Sequence, residues 1–181
     1  MEFVAVLGLS GFSRAAERFL RLSKKGEIYF KAREELDTTA ERWVMNVRAH
    51  QFEYAYWAKN RELARTARLA LETDPWIQRF ENGRILGMAR ARLLLLDRKG
   101  SEAASAFRKL VPFVGGLTAR SASYRKEEAL AWVLLDYGSA ERSCGRVAAA
   151  RKIWEAGMSL RADAGNTPYQ RLIQRELERL S

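Results

Sequence analysis

Almost no stretch of the chain alternates apolar and polar residues with a period of two, which is the spacing of a half-buried strand. The C-terminal segment shows a helical spacing instead. Its apolar residues fall on one stripe, with arginine, glutamine and glutamate on the other side: Leu172, Ile173, Leu177 and Leu180. Alanine, leucine, arginine and glutamate, which are good helix formers, dominate the composition. The sequence therefore predicts an all-α protein.

Capping residues and glycines mark the helix boundaries. The predicted N-caps are Thr39, Asp74 (with Pro75 at the first helical position), Ser101 and Thr167. The predicted helix ends lie at Gly26, Gly115–Gly116, Gly145 and Gly165. These signals predict about nine helices, near residues 12–24, 27–37, 40–58, 61–73, 75–97, 102–113, 123–143, 146–162 and 168–180.

Hairpin turns recur at Lys25–Gly26, Asn60, Lys99–Gly100 and Gly145, at intervals of 34 to 45 residues. Helix pairs at about this period are typical of an α-solenoid, in which each hairpin buries its apolar face against the next. The expected fold is a right-handed stack of four antiparallel helical hairpins with a C-terminal capping helix. We expect the 181 residues to form a single domain, 1–181.

Small residues recur between Tyr137 and Leu160 wherever two helices would touch. They are Gly138, Ala148, Ala149, Ala150 and Gly157. Small residues let helix axes approach to the short end of the range of about 8–10 Å. The large side chains of Tyr137 and Trp154 are expected to fill the gaps between them. This stretch therefore predicts a closely packed hairpin.

The same hairpin carries the residues of a known repeat motif. The first helix offers Leu134, Tyr137 and Glu141, and the second offers Ala150, Arg151, Ile153, Trp154 and Glu155. On these residues the stretch 134–158 resembles a tetratricopeptide-type repeat, closest to the half-a-tetratricopeptide (HAT) variant. Two positions depart from it: Leu134 stands where an aromatic residue is usual, and Ala156 where arginine is common.

The resemblance implies a helical-repeat fold in which the glutamate and arginine of the motif form a structural pair between two helices. In this chain they are Glu141 and Arg151. It also implies a place in RNA-processing assemblies. The residues expected to pack the repeat are Tyr137, Gly138, Glu141, Ala150, Arg151, Trp154 and Gly157.

The chain is strongly basic, with 32 lysines and arginines against 22 acidic residues and a net charge of +10. Such an excess favours an anionic partner, although arginine-rich codon usage would produce it without any binding role. The excess is concentrated between residues 61 and 120. The candidate residues for binding nucleic acid or an acidic partner are Arg61, Arg65, Arg68, Arg90, Arg92, Arg108 and Lys109. The first three share one helix face by their spacing.

Aromatic residues crowd the helix before this basic region: Phe52, Tyr54, Tyr56 and Trp57. Exposed aromatic rings beside arginines can stack unpaired bases. We expect Phe52 and Tyr56 to lie in the core, whereas the sequence leaves the placement of Tyr54 and Trp57 open.

Catalytic chemistry has little support in the sequence. His50 and Cys144 are the only histidine and cysteine, and they lie on different predicted hairpins. They supply neither a metal-ligand spacing nor an internal disulfide, and no glycine-rich phosphate loop is present. We therefore expect no metal, no cofactor and no enzymatic activity. Cysteine usage favours an intracellular, reducing compartment, with organellar import left open, and no apolar run reaches the length of a membrane span.

Two functions remain open at this point. The first is a non-catalytic protein-interaction scaffold within an RNA-processing or ribonucleoprotein assembly. The alternative is direct RNA binding through the basic residues of the middle repeats. The oligomeric state does not follow from the sequence.

Overall fold

The computed structural model describes residues 21, 25, 38–80, 83–117, 126–160 and 168–180. Within these ranges the chain forms eight helices and no strand: α1 (Thr38–Trp57), α2 (Arg61–Glu72), α3 (Pro75–Phe80), α4 (Gly83–Leu96), α5 (Gly100–Leu117), α6 (Lys126–Ser143), α7 (Val147–Met158) and α8 (Pro168–Glu178). The all-α prediction is therefore confirmed for the described residues. The helices predicted near 12–24 and 27–37 lie outside them, apart from Arg21, which is helical. Lys25, which the sequence predicts to lie in a turn, is also helical.

Two helix starts are fixed by side-chain caps. The Asn60 side-chain oxygen accepts a hydrogen bond from the Leu63 N–H at 3.0 Å. The Asp74 carboxylate accepts from the N–H groups of Trp76 at 3.0 Å and Ile77 at 3.3 Å. Each cap satisfies a backbone donor that has no partner within its helix. The predicted cap at Asp74 is confirmed.

Two other predicted caps are wrong. Thr39 and Ser101 lie inside helices, because α1 begins at Thr38 and α5 at Gly100. The carbonyl of Lys99 already accepts the N–H of Ala103 at 2.9 Å, so α5 begins two residues before the helix that Ser101 would cap. A serine near a helix start is a weak signal when the preceding turn fixes the backbone.

One further boundary differs from the prediction. Gly115–Gly116 does not end α5, which continues to Leu117. Val114, in the same turn, is buried, and packing of this kind outweighs the low helix propensity of glycine. Of the helix predicted over 75–97, the structure describes α3 and α4, and residues 81 and 82 between them lie outside the described ranges.

Three connections between helices share one backbone geometry. Each contains a residue with positive φ: Lys59 at 56°, Arg98 at 60° and Gly145 at 76°. The N–H of that residue bonds the carbonyl three positions earlier, and the next N–H bonds the carbonyl five positions earlier, all at 2.8–3.0 Å. This is the Schellman ending of a helix. The turns predicted at Asn60, Lys99–Gly100 and Gly145 are confirmed, whereas Gly26 lies outside the described residues.

A buried alanine follows each of these turns at the same distance. Ala64, Ala103 and Ala150 are fully buried, and the N–H of each bonds the carbonyl of the residue that ends the turn, four positions earlier. The combination of turn and buried alanine therefore occurs three times along the chain. This gives α2, α5 and α7 equivalent first turns.

The chain divides into two compact units, Met1–Ala89 and Arg90–Ser181. In the first unit, α1 packs against α2 and α3. In the second unit, α6 packs against α5, α7 and α8, and α7 also contacts α8. Helix α6 is therefore the element around which the other described helices of the second unit pack.

The core of the second unit depends on two glycines. Trp154 is fully buried, and its indole N–H donates to the carbonyl of Leu135 at 3.1 Å. A Cβ atom on Gly138 would lie 2.2 Å from the indole Nε1, and one on Gly157 would lie 2.6 Å from Cδ1 of Ile173. Real Cβ atoms do not approach other atoms so closely, so α6 requires glycine at position 138 to pack against the indole of Trp154. At position 157 the contact is with the terminal methyl of Ile173, which would have to shift to admit a Cβ atom.

Candidate binding surface

The predicted arginine stripe on α2 lies on the side of that helix away from its core. The buried residues of α2 are Ala64, Ala67 and Leu71. Arg61 and Arg65 are exposed and Arg68 is half-buried. The structure therefore places the first two arginines where an external partner can reach them.

Glutamates of the same helix neutralise much of the stripe. Arg65 pairs with Glu62 at 3.0 Å, and Arg68 pairs with Glu72 at 2.5 Å. Exposed pairs at these spacings stabilise a helix by about 0.2–0.5 kcal/mol each. With three arginines and two glutamates, α2 keeps a net charge of only +1.

Arg92 is not a surface residue, which corrects its assignment as a binding residue. Its side chain is 0% exposed, its Nε donates to the Asp136 carboxylate at 2.6 Å, and its Cζ lies 4.5 Å from the ring centroid of Trp132. Arg90, two positions earlier, is exposed. Helical residues two apart point about 200° away from each other, so the two arginines cannot share a face. Arg92 belongs to the core of the second unit.

A buried carboxylate on α6 holds two exposed guanidinium groups. The Glu141 side chain is 3% exposed. One of its oxygens lies 3.6 Å from the Arg108 guanidinium, and the other accepts a hydrogen bond from Nε of Arg146. Arg108 also donates to the Tyr137 hydroxyl at 3.1 Å. The hydrogen bond to Glu141 raises the pKa of Arg146, which therefore stays charged at any physiological pH.

A second carboxylate, on α8, is shared in the same way. One Glu176 oxygen accepts a hydrogen bond from Arg142, and the other accepts from Arg179 at 2.5 Å. The Arg142 guanidinium also lies 5.5 Å from the ring centroid of Trp154. Arg142 therefore connects α6 to both α7 and α8.

These contacts bring four guanidinium groups to the C-terminal end of α6, where Glu141 and Arg142 are neighbours in sequence. We call them the arginine cluster: Arg108, Arg142, Arg146 and Arg179. Four arginines and two glutamates leave a net charge of +2. The partial negative charge at the end of a helix also favours cations at this position. Lys109 is exposed on α5, next to Arg108 in sequence.

The structural pair between Glu141 and Arg151, which the repeat resemblance implies, is wrong. Arg151 donates to the carbonyl of Leu180 at 3.1 Å, so it links α7 to the residues that follow α8. Glu141 holds arginines from α5 and from the turn before α7 instead. The sequence reasoning missed three members of the arginine cluster: Arg142, Arg146 and Arg179. A usable signal was the pair of arginines that flank the helix end at Gly145.

Two of the aromatic side chains of α1 lie in the core. Phe52 and Tyr56 are buried, as predicted. Trp57 is half-buried, its indole N–H donates to Glu53 at 3.3 Å, and the Lys59 ammonium lies 6.0 Å from its ring centroid. The Lys59–Trp57 contact lies at the turn before α2.

His50 and Cys144 occupy separate units and unrelated environments. His50 lies on α1, whereas Cys144 lies in the turn before α7 with its sulfur 3.5 Å from the Ser101 hydroxyl. Across the described ranges, no three acidic, histidine or cysteine side chains come together as metal ligands. Nor is any helix there long and apolar enough to cross a membrane.

Burial lowers the pKa of His50 from its ordinary value of 6.5 to about 4. In the unfolded chain the imidazole takes up a proton near pH 6.5, whereas in the folded chain it stays neutral until about pH 4. We therefore expect the free energy of unfolding to fall by up to about 3 kcal/mol as the pH drops through this window. Chemical denaturation of the wild type and of His50→Gln at a series of pH values measures the contribution of His50. Carboxylate titration affects both proteins equally, so it cancels in the difference between their free energies of unfolding. If the free energy of unfolding depends on pH identically in the two proteins, the lowered pKa of His50 is wrong.

No protein-family model, curated protein or solved structure matches the chain. Its function therefore has to be argued from the geometry of its own residues.

Proposed function

We propose that the protein is a non-catalytic protein-interaction scaffold, built as an α-solenoid of hairpins of the tetratricopeptide or HAT type. The observation that carries the proposal is the threefold recurrence of the Schellman turn with a buried alanine four residues after it. Repeated hairpins bury their faces against one another and present an extended surface to a partner. Such scaffolds act by binding, with no cofactor or metal.

The chemistry of the surface suggests an anionic partner. The net charge of +10 and the exposed guanidinium groups of the second unit favour association with acidic molecules and speed their encounter. The HAT resemblance adds an RNA-processing or ribonucleoprotein assembly as the setting. Cysteine usage adds an intracellular, reducing compartment, with organellar import left open. The scaffold in this proposal holds an acidic protein of that assembly.

Affinity capture after nuclease treatment tests the proposal. The tagged full-length chain is incubated with cell extract digested with RNase and DNase, and bound proteins are identified by mass spectrometry. Untagged protein in excess is the competitor. We expect at least one protein that survives nuclease digestion and is displaced by the competitor. If every captured protein is lost on digestion, the scaffold proposal is wrong and RNA is the direct ligand.

Direct RNA binding through α2 is the second candidate. The observation in its favour is that the ring of the half-buried Trp57 lies 6.0 Å from the ammonium of Lys59, in the turn that leads into Arg61. Aromatic stacking combined with cationic contacts is how proteins bind single strands without sequence preference.

The variant Arg61→Gln/Arg65→Gln/Arg68→Gln tests this candidate. If all three arginines contact phosphates, the slope of log affinity for single-stranded RNA against log salt should flatten by roughly 2. The matched control Arg98→Gln/Lys152→Gln/Arg175→Gln removes the same charge from exposed positions in the second unit. Equal slopes for the wild type and the stripe variant would exclude phosphate contacts by α2.

A further inference from the structure

The arginine cluster keeps hydrogen-bonding capacity and charge that its own carboxylates do not use. Arg108 and Arg179 are 69% and 67% exposed although each contacts a carboxylate. A guanidinium group has five N–H donors, and the contacts within the described residues engage one or two in each member. The cluster can therefore bind a further anion while keeping its contacts with Glu141 and Glu176.

The two shared carboxylates hold the cluster in place. Glu141 is buried and Glu176 is 15% exposed, so their positions are fixed by packing. Each places two guanidinium groups side by side, and Tyr137 fixes Arg108 further. A partner that binds groups already held in position loses less conformational entropy than one that binds free side chains. Guanidinium groups match carboxylates in charge and planar geometry.

We propose that the arginine cluster is a docking site for an acidic segment of a protein, whose Asp or Glu carboxylates bind the exposed arginines. The proposal rests on the scaffold function above and names the chemistry of its partner. The cluster itself already binds two glutamate side chains, which is the same chemistry supplied from within the chain.

An acidic protein fits this surface better than a nucleic acid does. Single-stranded RNA binds through exposed aromatic rings that stack on its bases, together with a basic groove along its backbone. Trp154, the ring beneath Arg142, is fully buried, and the hydroxyl of the half-buried Tyr137 is held by Arg108. The cluster also gathers at one helix end and carries a net charge of only +2.

The double variant Arg108→Gln/Arg179→Gln removes the two most exposed members and leaves each carboxylate one arginine. Glu141 keeps Arg146 and Glu176 keeps Arg142, so no buried charge loses its last partner. The matched control is Arg61→Gln/Arg65→Gln, which removes the same charge from exposed positions on α2. Circular dichroism melting curves of both variants, compared with the wild type, check that they fold.

Fluorescence anisotropy with labelled oligoglutamate tests the proposal, with labelled oligouridylate of equal formal charge as the second probe. We expect the full-length wild type to bind oligoglutamate more tightly as salt is lowered. Arg108→Gln/Arg179→Gln should weaken this binding about five- to tenfold, since two partly exposed charge contacts are lost. The α2 control should change it by less than about twofold. Arg108→Lys/Arg179→Lys, which keeps the charge, should recover part of the affinity.

Three results would overturn the proposal. They are no binding of oligoglutamate by the wild type, equal losses in the two double variants, and tighter binding of oligouridylate that depends on the cluster. The scaffold function fails separately. If nuclease-resistant capture succeeds but is unchanged by Arg108→Gln/Arg179→Gln, the docking site is wrong and the scaffold stands. If capture yields only nuclease-sensitive proteins, the scaffold itself is wrong.

Discussion

Replacing Trp154 with alanine should lower the free energy of unfolding of the second unit by about 3–5 kcal/mol. The indole is fully buried between α6 and α7, against the space that Gly138 leaves open. Truncation creates a cavity there and removes one of the donors to the Leu135 carbonyl, which keeps the hydroxyl of Ser139 at 2.9 Å. Arg142, on α6, also loses the aromatic ring against which its guanidinium group lies.

Denaturant unfolding followed by circular dichroism measures this effect without relying on tryptophan fluorescence. Trp154→Phe is the matched control, because it retains most of the buried ring and removes the N–H. We expect its destabilisation to fall between the wild type and Trp154→Ala. A loss under about 1 kcal/mol for the alanine variant would show that the position tolerates a cavity and does not anchor the hairpin.

Breaking the buried pair between Arg92 and Asp136 should cost a similar amount. In Arg92→Met the carboxylate of Asp136, which is 3% exposed, loses the guanidinium that donates to it at 2.6 Å. Loss of one partner of a buried pair destabilises by about 3–5 kcal/mol. Trp132 also loses the guanidinium 4.5 Å from its ring.

The double variant Arg92→Met/Asp136→Leu decides whether the loss comes from separating the buried carboxylate from its guanidinium partner. Replacing both partners with apolar residues of similar size is often neutral or stabilising, so the double variant should be more stable than Arg92→Met alone. Urea unfolding of the wild type, the two single variants and the double variant gives the coupling energy. Additive losses would show that the pair contributes no coupling and that each residue acts through packing alone.

Local features of this chain could be predicted from its sequence. The Asp74 cap acts on N–H groups two and three residues away, and the turn at Gly145 needs a backbone that glycine adopts without strain. Both depend on neighbouring residues only. The helix end predicted at Gly115–Gly116 is wrong, because glycine permits a helix to end without requiring it. Burial of Val114 in the same turn stabilises the helix, which continues to Leu117.

The candidate site depended on contacts that the sequence does not contain. Arg142 and Glu176 are 34 residues apart, and Arg92 and Asp136 are 44 apart. Spacing along one helix shows which residues share a face, but it does not tell which face is buried against another helix. For this reason the sequence groups Arg92 with surface arginines, whereas the arginine cluster depends on the packing of α6 against α5 and α8.

The most direct test of the account is to compare nuclease-treated capture by three forms of the full-length chain. They are the wild type, Arg108→Gln/Arg179→Gln and Arg61→Gln/Arg65→Gln, each confirmed as folded. The quantity measured is the amount of the nuclease-resistant partner retained at low and at physiological salt. The account predicts that the cluster variant loses most of the partner while the α2 variant retains it. Full retention by the cluster variant, or loss of all partners on nuclease digestion, would contradict it.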